Sequence, residues 1–566
     1  MIGSDYIENL LYQHGVRHVF GYSGSMMLRI MDSIYRKGRI EFHHTFNEQG
    51  AALAADGYAR MTEKLGVVVV TSGPGAINAL AGVADAYLDS VPLLCITGQD
   101  YSSHVQCCNG ARMNGFQDLD IAAISKTITK YSVQIQSQGE MGYEMEKAME
   151  IAVSGRKGPV LVDIPMDFQF MEMPESVLRY FGEADGGPMQ PTMDQIHMLT
   201  EQLQKAQRPL IITGGGTRMA GASRELSTLV ERTGIPLVCT LNGLDCGAPI
   251  YGFAGMFGKT YANLTIKSAD LIIAIGVRFG NQQVGKLPVD YTSAQILHID
   301  VDKSELGRIF KEETGVLADA KIFLQKLQEW ADAYSYRIPA KWEQILQDWK
   351  KELSGRDYVN CQELMDPVRV VQTLCKHASV NDVVVADVGQ NEMWTAQGFV
   401  TGKGLRFLCS SGYGTMGFSL PCAIGASYAN STGSIYSFMG DGGFQMNMQE
   451  LAFLKLHPRR LKCIVFNNGT LGMMREVQKL YYDSKFYGND EADFFCPDLQ
   501  ALAHTYDLRY FLLSCNDNKK IYEEIAACQE PCIVDCRVSR DSREHSRADD
   551  ASLLNERLCW LRSQYD

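Results

Sequence analysis

Residues 440–468 limit the fold and chemistry of this chain more than any other part of its sequence. The segment opens with Asp441 between glycines, continues through a helical pattern, and closes with a hydrophobic strand pattern that leads into Asn468. Glycines beside the aspartate allow a tight turn that approaches a ligand, and amides at the start of the next helix can bind a phosphate. Asp441 and Asn468 offer oxygen ligands for Mg²⁺. We therefore expect a strand–turn–helix–strand unit that binds a diphosphate through Mg²⁺; the alternative is an ordinary loop with an Asx turn.

The length and composition indicate a multidomain globular protein. The chain has 566 residues, which suggests roughly three or four domains. Hydrophobic residues make up 46% and charged residues 21%, ordinary values for a protein with a large core. The net charge of −13 is spread along the chain without a basic block. This distribution argues against nucleic acid or a membrane surface as a partner.

Cysteine usage and hydropathy indicate the cellular compartment. The 16 cysteines stand singly or within apolar runs, so we expect buried free thiols. No apolar stretch reaches the length of a transmembrane helix, and the sequence has no pattern of an N-terminal signal peptide. We therefore expect a soluble, cytoplasmic protein.

Strand and helix patterns alternate along the chain. Strand patterns at 16–21, 66–70, 93–97 and 160–164 enclose helical patterns at 49–61 and 76–89. The alternation resumes near residue 208 and again near residue 366. The sequence therefore predicts an α/β protein with three doubly wound parallel-sheet domains. The expected boundaries are 1–175, 190–340 and 360–540, with a linker at 174–191, a crossing connection at 319–360 and a charged surface arm at 541–566.

Glu48 is a second candidate for a functional residue. It lies beside small residues at the junction of a predicted strand and a predicted helix. Considered alone, it fits an exposed acid that the helix dipole favours. The diphosphate segment of the third domain changes this interpretation, because loops at the carboxyl ends of parallel strands are where ligands usually bind.

Many short stretches, in the same order, carry a resemblance to one family. The chain from about residue 3 to about residue 540 resembles the acetolactate synthase (acetohydroxyacid synthase) branch of the decarboxylases that depend on thiamin diphosphate (ThDP, or thiamine pyrophosphate). Besides the segment 440–468, the matching stretches are Phe20-Gly21-Tyr22, Thr71-Ser72-Gly73-Pro74-Gly75-Ala76, Asp89-Ser90-Val91-Pro92, Ile96-Thr97-Gly98-Gln99, Phe116-Gln117, Val162-Asp163-Ile164-Pro165, Gly276-Val277-Arg278-Phe279 and Met416-Gly417-Phe418.

The resemblance implies three domains, called Pyr, middle and PP, and two ThDP sites at a homodimer interface, either in a homodimer or in a homotetramer. Glu48 of one chain would bond the aminopyrimidine N1′ of ThDP. Asp441, Asn468 and the Thr470 carbonyl of the other chain would bind Mg²⁺. Gln117 and Phe116 would contact the substrate. The implied ThDP contacts are Pro74, Gly389, Gln390, Gly414, Met416, Gly440, Gly442 and Gly443.

Met416 would hold ThDP in a bent conformation, although an ordinary core methionine also fits this position. The middle domain resembles one that binds FAD in a structural, non-redox role. A glycine triplet is a weak signal alone, and relatives without FAD exist, so FAD is an expectation that rests on several matching places together. The implied FAD contacts are Gly214, Gly215, Thr240, Leu241, Gly255, Met256, Gly276, Arg278 and Asp300.

The sequence departs from the family pattern at the expected entrance for the second substrate. Gln282 stands where the family has an arginine for the carboxylate of the second 2-oxo acid, Val477 stands at a tryptophan position, and Met166 replaces a lysine. Met473 belongs to the same expected channel. Losing an arginine clamp removes a charged hydrogen bond of about 1.5–3 kcal/mol. The three changes together, at Met166, Gln282 and Val477, favour an acceptor other than a second 2-oxo acid. Some relatives without the tryptophan nevertheless still make acetolactate.

The sequence therefore predicts a ThDP- and Mg²⁺-dependent carboligase or decarboxylase. It would decarboxylate a 2-oxo acid, with pyruvate as the first candidate, and transfer the acyl anion equivalent to a carbonyl acceptor, such as an aldehyde, a ketone or a keto-sugar. The alternatives are a true acetolactate synthase, a simple 2-oxo-acid decarboxylase and a non-catalytic ThDP-fold binding protein. Because a scaffold would not need the proton-relay acid, the intact Glu48 argues against the last alternative.

Overall fold

The three predicted α/β domains are three six-stranded sheets in which every pairing is parallel. The computed structural model describes residues 1–105, 110–173, 181, 187–285, 291–355, 364–401, 404–430, 432–490, 492–514 and 519–565. Most of the expected linker at 174–191, and residues 356–360 of the expected crossing connection, lie outside these ranges. Among the described residues, no helix is both long and apolar enough to cross a membrane.

The first sheet contains the Glu48 region. Its strands are β1 (His18–Gly21), β2 (Glu41–His44), β3 (Gly66–Val70), β4 (Leu93–Gln99), β5 (Tyr131–Gln134) and β6 (Val160–Pro165). Its helices are α1 (Gly3–Gln13), α2 (Leu28–Lys37), α3 (Glu48–Thr62), α4 (Pro74–Asp89), α5 (Ser102–Val105), α6 (Ile121–Ser125), α7 (Met141–Val153) and α8 (Met166–Phe170). All residues of β3, β4 and β6 are buried, as expected for strands covered on both faces.

The second sheet occupies the middle of the chain. Its strands are β7 (Pro209–Thr213), β8 (Leu237–Cys239), β9 (Gly252–Phe253), β10 (Leu271–Ile275), β11 (Gln295–Asp300) and β12 (Thr314–Leu317). Its helices are α9 (Met193–Lys205), α10 (Gly215–Met219), α11 (Ser223–Thr233), α12 (Thr260–Ser268), α13 (Asn281–Val284) and α14 (Ala320–Ala333). Helix α15 (Ala340–Leu353) follows α14 in the stretch expected to cross to the third unit.

The third sheet contains the Asp441 segment. Its strands are β13 (Val383–Ala386), β14 (Arg406–Cys409), β15 (Ile435–Gly440), β16 (Leu461–Asn467), β17 (Arg509–Leu513) and β18 (Cys532–Arg537). Its helices are α16 (Pro367–His377), α17 (Gln390–Gly398), α18 (Ser419–Ala429), α19 (Asp441–Met446), α20 (Leu451–Leu456), α21 (Gly472–Tyr481), α22 (Leu499–Thr505) and α23 (Lys519–Ala527), and α24 (Ala551–Tyr565) ends the chain.

Strand order separates the middle sheet from the other two. The first sheet has the order β2-β1-β3-β4-β6-β5 and the third has β14-β13-β15-β16-β18-β17. Counted from the first strand of each sheet, both orders are 2-1-3-4-6-5. The middle sheet runs β12-β11-β10-β7-β8-β9, which is 6-5-4-1-2-3 and therefore the dinucleotide-binding arrangement. Its strand order reverses between β7 and β10, where such sheets bind their ligand.

The first and third units pack through α3 and α18. A Cβ atom on Gly57 would lie 2.2 Å from the Cys422 carbonyl oxygen, and one on Gly425 would lie 1.7 Å from the Ala54 carbonyl oxygen. Only glycine therefore allows the two backbones to approach this closely. The contact fixes α3, and with it Glu48 at the start of that helix, against the third unit.

A buried arginine reinforces this packing. The Arg60 guanidinium donates to the carboxylates of Asp56, Asp85 and Asp89 at 2.5, 3.1 and 3.1 Å, and to the Cys409 carbonyl oxygen at 2.9 Å. One cation thus joins α3 and α4 of the first unit to β14 of the third.

The middle unit is bonded to both of the others. Arg406 on β14 forms a bidentate ion pair with Asp245, with both shortest distances at 2.7 Å, and also donates to the Arg60 carbonyl oxygen. The Asn242 amide donates to Asp89 at the end of α4, over 3.1 Å. The three units therefore meet around the carboxyl-terminal ends of α3 and α4.

The segment 541–566, expected as a surface arm, is packed against the third and middle units over its described part. Asp550 accepts a hydrogen bond of 2.6 Å from Thr260 at the start of α12. Leu554 and Leu561 of α24 are buried, and Arg208 lies over the Tyr565 ring. The charged residues of the segment predict a surface arm, but its buried leucines stabilise a docked helix.

Candidate active site

Two groups of predicted site residues lie at the carboxyl ends of the first and third sheets. Glu48 begins α3 just after β2, and its side chain is 8% exposed. Its Oε2 accepts a hydrogen bond of 3.0 Å from the amide of Asn78 on α4. A Cβ on Gly75 would lie 3.1 Å from its Oε1. The Glu48 carboxyl is therefore nearly buried. The Asn78 amide orients it, and Gly75, which has no side chain, leaves space beside it.

Gln117 and Phe116 lie near the same strand ends. A Cβ on Gly73 would lie 2.9 Å from the Gln117 Cβ, next to Pro74 at the first position of α4. The backbone amide of Phe116 donates to Asp100, which also orders the start of the loop. Phe116 is 66% exposed, so its ring is available for a contact outside this chain.

The structure brings together the three predicted metal ligands in the third unit. Asp441 follows β15 and Asn468 follows the adjacent strand β16, whose last residues pair with the end of β15. One Asp441 oxygen accepts from the Gly442 amide at 2.9 Å, and the other from the Gly469 amide at 2.7 Å. The Thr470 amide donates to the side-chain oxygen of Asn468 at 3.1 Å.

The environment of the buried Asp441 carboxyl is compatible with a bound cation. Burial raises the pKa of its carboxyl to about 7, although several backbone amides, with that of Gly469 first, act to lower it. A nearby Mg²⁺ would favour the ionised form and so offset the effect of burial. The two hydrogen bonds from Gly442 and Gly469 orient the carboxylate before any ion binds.

The loop after β13 provides a glycine-lined space beside this segment. Gly389, with φ at +112°, precedes α17 in the left-handed region that favours glycine. Cβ atoms on Gly389 and Gly440 would meet only the Asn391 amide, at 3.6 and 3.7 Å. The buried Gln390 Oε1 and Asn391 Oδ1 have no hydrogen-bond partner in the described structure. Two helix N-termini with open glycine backbone fit a diphosphate, whereas the two unpaired side-chain oxygens are acceptors and fit a hydrogen-bond donor or a cation.

The predicted Met416 loop is held by one carboxylate. Asp387, at the end of β13, accepts from the Gly417 and Ser419 amides at 2.9 Å each. Gly414 and Gly417 both have positive φ, at +74° and +77°. Met416 between them is 56% exposed, which argues against the core-methionine alternative within one chain.

Glu450 connects the two halves of the candidate site within one chain. It is fully buried and accepts from the Phe46 amide at 3.1 Å, two residues before Glu48. A Cβ on Gly50 would lie 2.5 Å from its Oε1. Glu450 thus ties the segment that follows Asp441 to the start of α3.

Glu450→Gln should change how stability depends on pH. Burial raises the pKa of Glu450 from its ordinary 4.5 to about 8, against the opposing effect of the Phe46 and Asn47 amides. Between these pH values the folded chain keeps a proton that the unfolded chain loses, so Glu450 makes stability fall as pH rises. Glutamine removes this dependence. The thermal midpoint of the variant relative to wild type should therefore rise from pH 5 to pH 8.

The control for this experiment is Glu329→Gln, which changes an acid whose side chain is 66% exposed. Its midpoint should follow wild type across the same range. If the gap between Glu450→Gln and wild type were constant from pH 5 to pH 8, the raised pKa of Glu450 would be wrong.

The middle unit contains a cavity of about 710 Å³ at the reversal of strand order. This volume lies within the range of small-molecule and cofactor sites. The predicted flavin contacts that line it are Gly214, Gly215, Thr240, Leu241, Met256, Gly276, Arg278 and Asp300. Gly255 is not among the lining residues; its φ of +136° and its bonds to Asn263 shape the turn before Met256.

Close backbone contacts form the glycine-lined wall of this cavity. A Cβ on Gly214 would lie 2.1 Å from the Gly276 carbonyl oxygen, and one on Gly276 would lie 2.7 Å from the Gly216 Cα. Gly276 also has φ at +58°. Arg278 donates to the Leu88 carbonyl oxygen at 2.7 Å, so the first unit closes one side of the cavity. Asp300, whose pKa is raised by burial, lies at the end of β11.

The four predicted acceptor residues come from all three units. Met166 begins α8 after β6, while Met473 and Val477 lie on α21 next to the metal-ligand segment. Gln282 is exposed on α13 and lines the middle cavity, and its carbonyl oxygen accepts from the Met256 amide at 2.7 Å. Within one chain, these residues therefore do not belong to a single wall.

Several residues that orient the site were not predicted. Asn78 holds Glu48, and Asn489 accepts from the Thr470 hydroxyl at 2.6 Å. Glu544 accepts from the Gln390 amide at 2.9 Å, although it lies in the stretch expected as an arm. Single polar residues carry no periodic signal, so only the positions of their partners identify them.

Comparisons with known proteins agree with this arrangement. Residues 1–124 match the thiamine pyrophosphate enzyme N-terminal TPP binding domain, residues 196–327 the central domain of the same family and residues 387–536 its C-terminal TPP binding domain. Acetolactate synthase of Arthrospira platensis is 36% identical, over 94% of this chain and 93% of the relative. The large subunit of acetolactate synthase isozyme 2 of Escherichia coli is 35% identical, over 90% of each chain. The acetolactate synthase large subunit of Lactococcus lactis is 34% identical, over 95% of this chain and 92% of the relative.

Proposed function

Because the chain belongs to the thiamine pyrophosphate enzyme family and is a ThDP-dependent enzyme similar to acetolactate synthase, we propose that it decarboxylates a 2-oxo acid. Pyruvate is the first candidate for this acid. The enzyme then transfers the acyl anion equivalent to a carbonyl acceptor. The observation that supports this most directly is the buried Glu48 on one sheet together with Asp441 and Asn468 on another. A binding protein would need the second group but not the first.

Bound ThDP supplies a carbon nucleophile and an electron sink. The chain's own residues bind and orient it. Asp441, Asn468 and the Thr470 carbonyl would hold Mg²⁺ at the diphosphate, and the open backbone of Gly389 and Gly440 leaves room for the phosphate oxygens. The other glycines of the segment, Gly442 and Gly443, let the start of α19 approach them.

Glu48 would form a hydrogen bond with the aminopyrimidine N1′. This bond would control protonation of the 4′ nitrogen on the same ring. Its burial and its bond to Asn78 keep the carboxyl in place. Gln117 and Phe116, on the loop beside Gly73, would position the substrate. Met416 would support the cofactor from the opposite side. Exclusion of water by these side chains would protect a basic intermediate from protonation.

We propose that two chains complete each site in a homodimer, or in a homotetramer built from such dimers. Phe116 and Met416 lie on different sheets, and both are more than half exposed in a single chain. Leu480 and Tyr481, at the end of α21, are also exposed apolar or aromatic side chains of the third unit. Large exposed apolar patches of this kind mark interaction sites. Within this arrangement, the domain boundaries remain proposals at 1–175, 190–340 and 360–540, with 541–566 as a C-terminal arm that packs on the third and middle units.

The acceptor is proposed to be a neutral carbonyl compound and not a second 2-oxo acid. The support is the loss of two expected cations, at Met166 and Gln282, and of an aromatic side chain, at Val477. We expect the purified enzyme with ThDP, Mg²⁺ and pyruvate to release CO₂, and mass spectrometry to find little acetolactate until an aldehyde, a ketone or a keto-sugar is added. Acetolactate from pyruvate alone at an ordinary synthase rate would make true acetolactate synthase the function.

Gln282→Arg tests the acceptor proposal directly. Restoring a charged hydrogen bond should raise the share of acetolactate among the products by roughly tenfold to a hundredfold. Gln282→Lys, which adds charge without the bidentate geometry, is the matched control and should have a smaller effect. If neither variant changes the product ratio, Gln282 does not face the acceptor.

We also propose that the middle cavity binds FAD, with a structural role. The dinucleotide-type strand order, the volume of the cavity and its glycine wall support this proposal. The purified protein should be yellow and release FAD on acid denaturation. Gly276→Val should lose it, because a side chain there meets the Gly216 backbone. Gly280→Ala is the control, since a Cβ at Gly280 meets no atom within 4 Å. A colourless wild-type protein that takes up no added FAD would refute the proposal.

A further inference from the structure

Two histidines and a glutamate meet at the edge of the first sheet, away from the predicted cofactor residues. His18 begins β1, while Glu41 and His43 are two residues apart on the neighbouring strand β2. The register pairs His18 with Glu41 and Phe20 with His43. Because side chains alternate along a strand, these four residues lie on one face of the sheet. That face packs against Tyr58 of α3 and Tyr428 of α18.

The three polar groups lie close enough together to bind one ion; the two ring nitrogens are at hydrogen-bond distance, so a bound ion would displace the proton between them. His18 Nδ1 and His43 Nε2 are 2.9 Å apart, and Glu41 Oε2 lies 3.8 Å from the first and 3.9 Å from the second. The point equidistant from the three atoms is about 2.1 Å from each, which is the ordinary length of zinc–nitrogen and zinc–oxygen bonds.

We propose that His18, Glu41 and His43 bind a divalent transition-metal ion such as Zn²⁺. Two imidazoles and one carboxylate suit zinc, cobalt and nickel better than Mg²⁺, which prefers oxygen ligands. Glu41 has a side chain that is 70% exposed, so solvent can supply the fourth ligand. The site is separate from the Mg²⁺ site proposed at Asp441 and does not depend on the proposed reaction.

The surroundings of the two histidines keep the rings in place. The His43 ring centroid is 3.7 Å from that of Tyr428 and 5.0 Å from that of Phe20, and the His18 ring is 5.2 Å from that of Tyr58. Rings fixed by packing lose little conformational entropy when an ion binds.

One feature opposes cation binding. The Arg459 guanidinium lies over the Tyr428 ring, with its carbon 3.9 Å from the centroid, and the same ring packs against His43, so a positive charge lies near the proposed ion. The carboxylate of Glu41 partly offsets this charge. We therefore expect weaker binding than the same three ligands would give alone, and removal of the Arg459 charge should tighten it.

A bound ion would strengthen the outer edge of the first sheet. Strand β2 is an edge strand of only four residues, and its end leads into Glu48 at the start of α3. An ion that joins β1 to β2 adds a link that the unfolded chain lacks, so it should raise the thermal midpoint by mass action.

The test uses the full-length protein, treated with a chelator and then saturated with ThDP and Mg²⁺. Equilibrium dialysis against Zn²⁺ should give one tightly bound ion per chain. Glu41→Gln and His18→Gln should each weaken this binding at least tenfold, and Arg459→Gln should strengthen it. His14→Gln, which changes an exposed histidine directly after α1 in the same unit, is the control and should bind as wild type does.

Spectroscopy locates the ion. Co²⁺ added in place of Zn²⁺ should produce a visible absorption band that Glu41→Gln abolishes. Because Glu41 is exposed, this variant should fold normally, and its activity without Zn²⁺ should equal that of wild type. The proposal is overturned if wild type takes up no Zn²⁺, or if Glu41→Gln and His18→Gln bind it as tightly as wild type.

Discussion

Glu48→Gln should lower turnover of the 2-oxo acid by at least about 100-fold, because general acid–base groups contribute 10²–10⁴-fold to rates. Glutamine keeps the size of the side chain and can still accept from Asn78, which lies 3.0 Å from Glu48 in the native chain. It cannot hold or release a proton at N1′. The variant should therefore keep its thermal midpoint and its affinity for ThDP with Mg²⁺, while steady-state release of CO₂ collapses.

Mixed dimers provide a sharper form of this test. Asp441→Asn should also be inactive, but through loss of Mg²⁺ and ThDP binding. If each site takes Glu48 from one chain and Asp441 from the other, a dimer with one chain of each variant contains one intact site. Random mixing of the two variants should then restore about one quarter of wild-type activity. If mixing restores no activity although mixed dimers form, the proposal that two chains complete each site is wrong.

Arg60→Met should destabilise the folded chain by about 3–5 kcal/mol, because removing one partner of a buried ion pair leaves uncompensated charge. Three aspartates that now share one guanidinium would remain in the interface between the first and third units. Burial, with the negative charge of Asp56, already raises the pKa of Asp85 to about 7, although Arg60 opposes this. The loss should grow with pH, since more of these carboxyls would ionise.

Denaturant unfolding at pH 6 and pH 8 measures this effect. Arg232→Met is the matched control, because it breaks an exposed ion pair with Asp332, and exposed pairs contribute only about 0–1 kcal/mol. A change for Arg60→Met no greater than that of the control would show that the buried acids are already neutral and need no cation.

The strands that could be predicted from the sequence are those buried on both faces. The pattern at 66–70 coincides with β3, and the pattern at 93–97 lies within β4. The strands without a prediction include both edges of every sheet, namely β2, β5, β9, β12, β14 and β17, together with β8. An edge strand is short and has one neighbour, so polar residues break its hydrophobic pattern, as in the Glu41–His44 strand.

The site could be predicted only where its chemistry appears in the local sequence. Asp441 and Asn468 are identified by the glycines and by the strands before them, and the structure brings them together. Glu48 has no such local pattern, and its assignment needed the third unit as context. Asn78 and Glu450 are more distant still, because each is defined by a contact with a residue far away in the chain. Whether two chains complete a site is a property of the assembly, which no single segment encodes.

Helix α4 suggests how a flavin with no redox role could still matter to the active site, because the helix links the middle cavity to Glu48. Its 16 residues form a helix about 24 Å long. Near its first residue, Asn78 donates a hydrogen bond to Glu48. At its other end, Asp89 accepts a hydrogen bond from Asn242, which lines the middle cavity. There the Leu88 carbonyl oxygen also accepts one from Arg278, another lining residue. A flavin in that cavity would support the far end of α4, and so help to hold the Glu48 carboxyl in place while contributing no electrons.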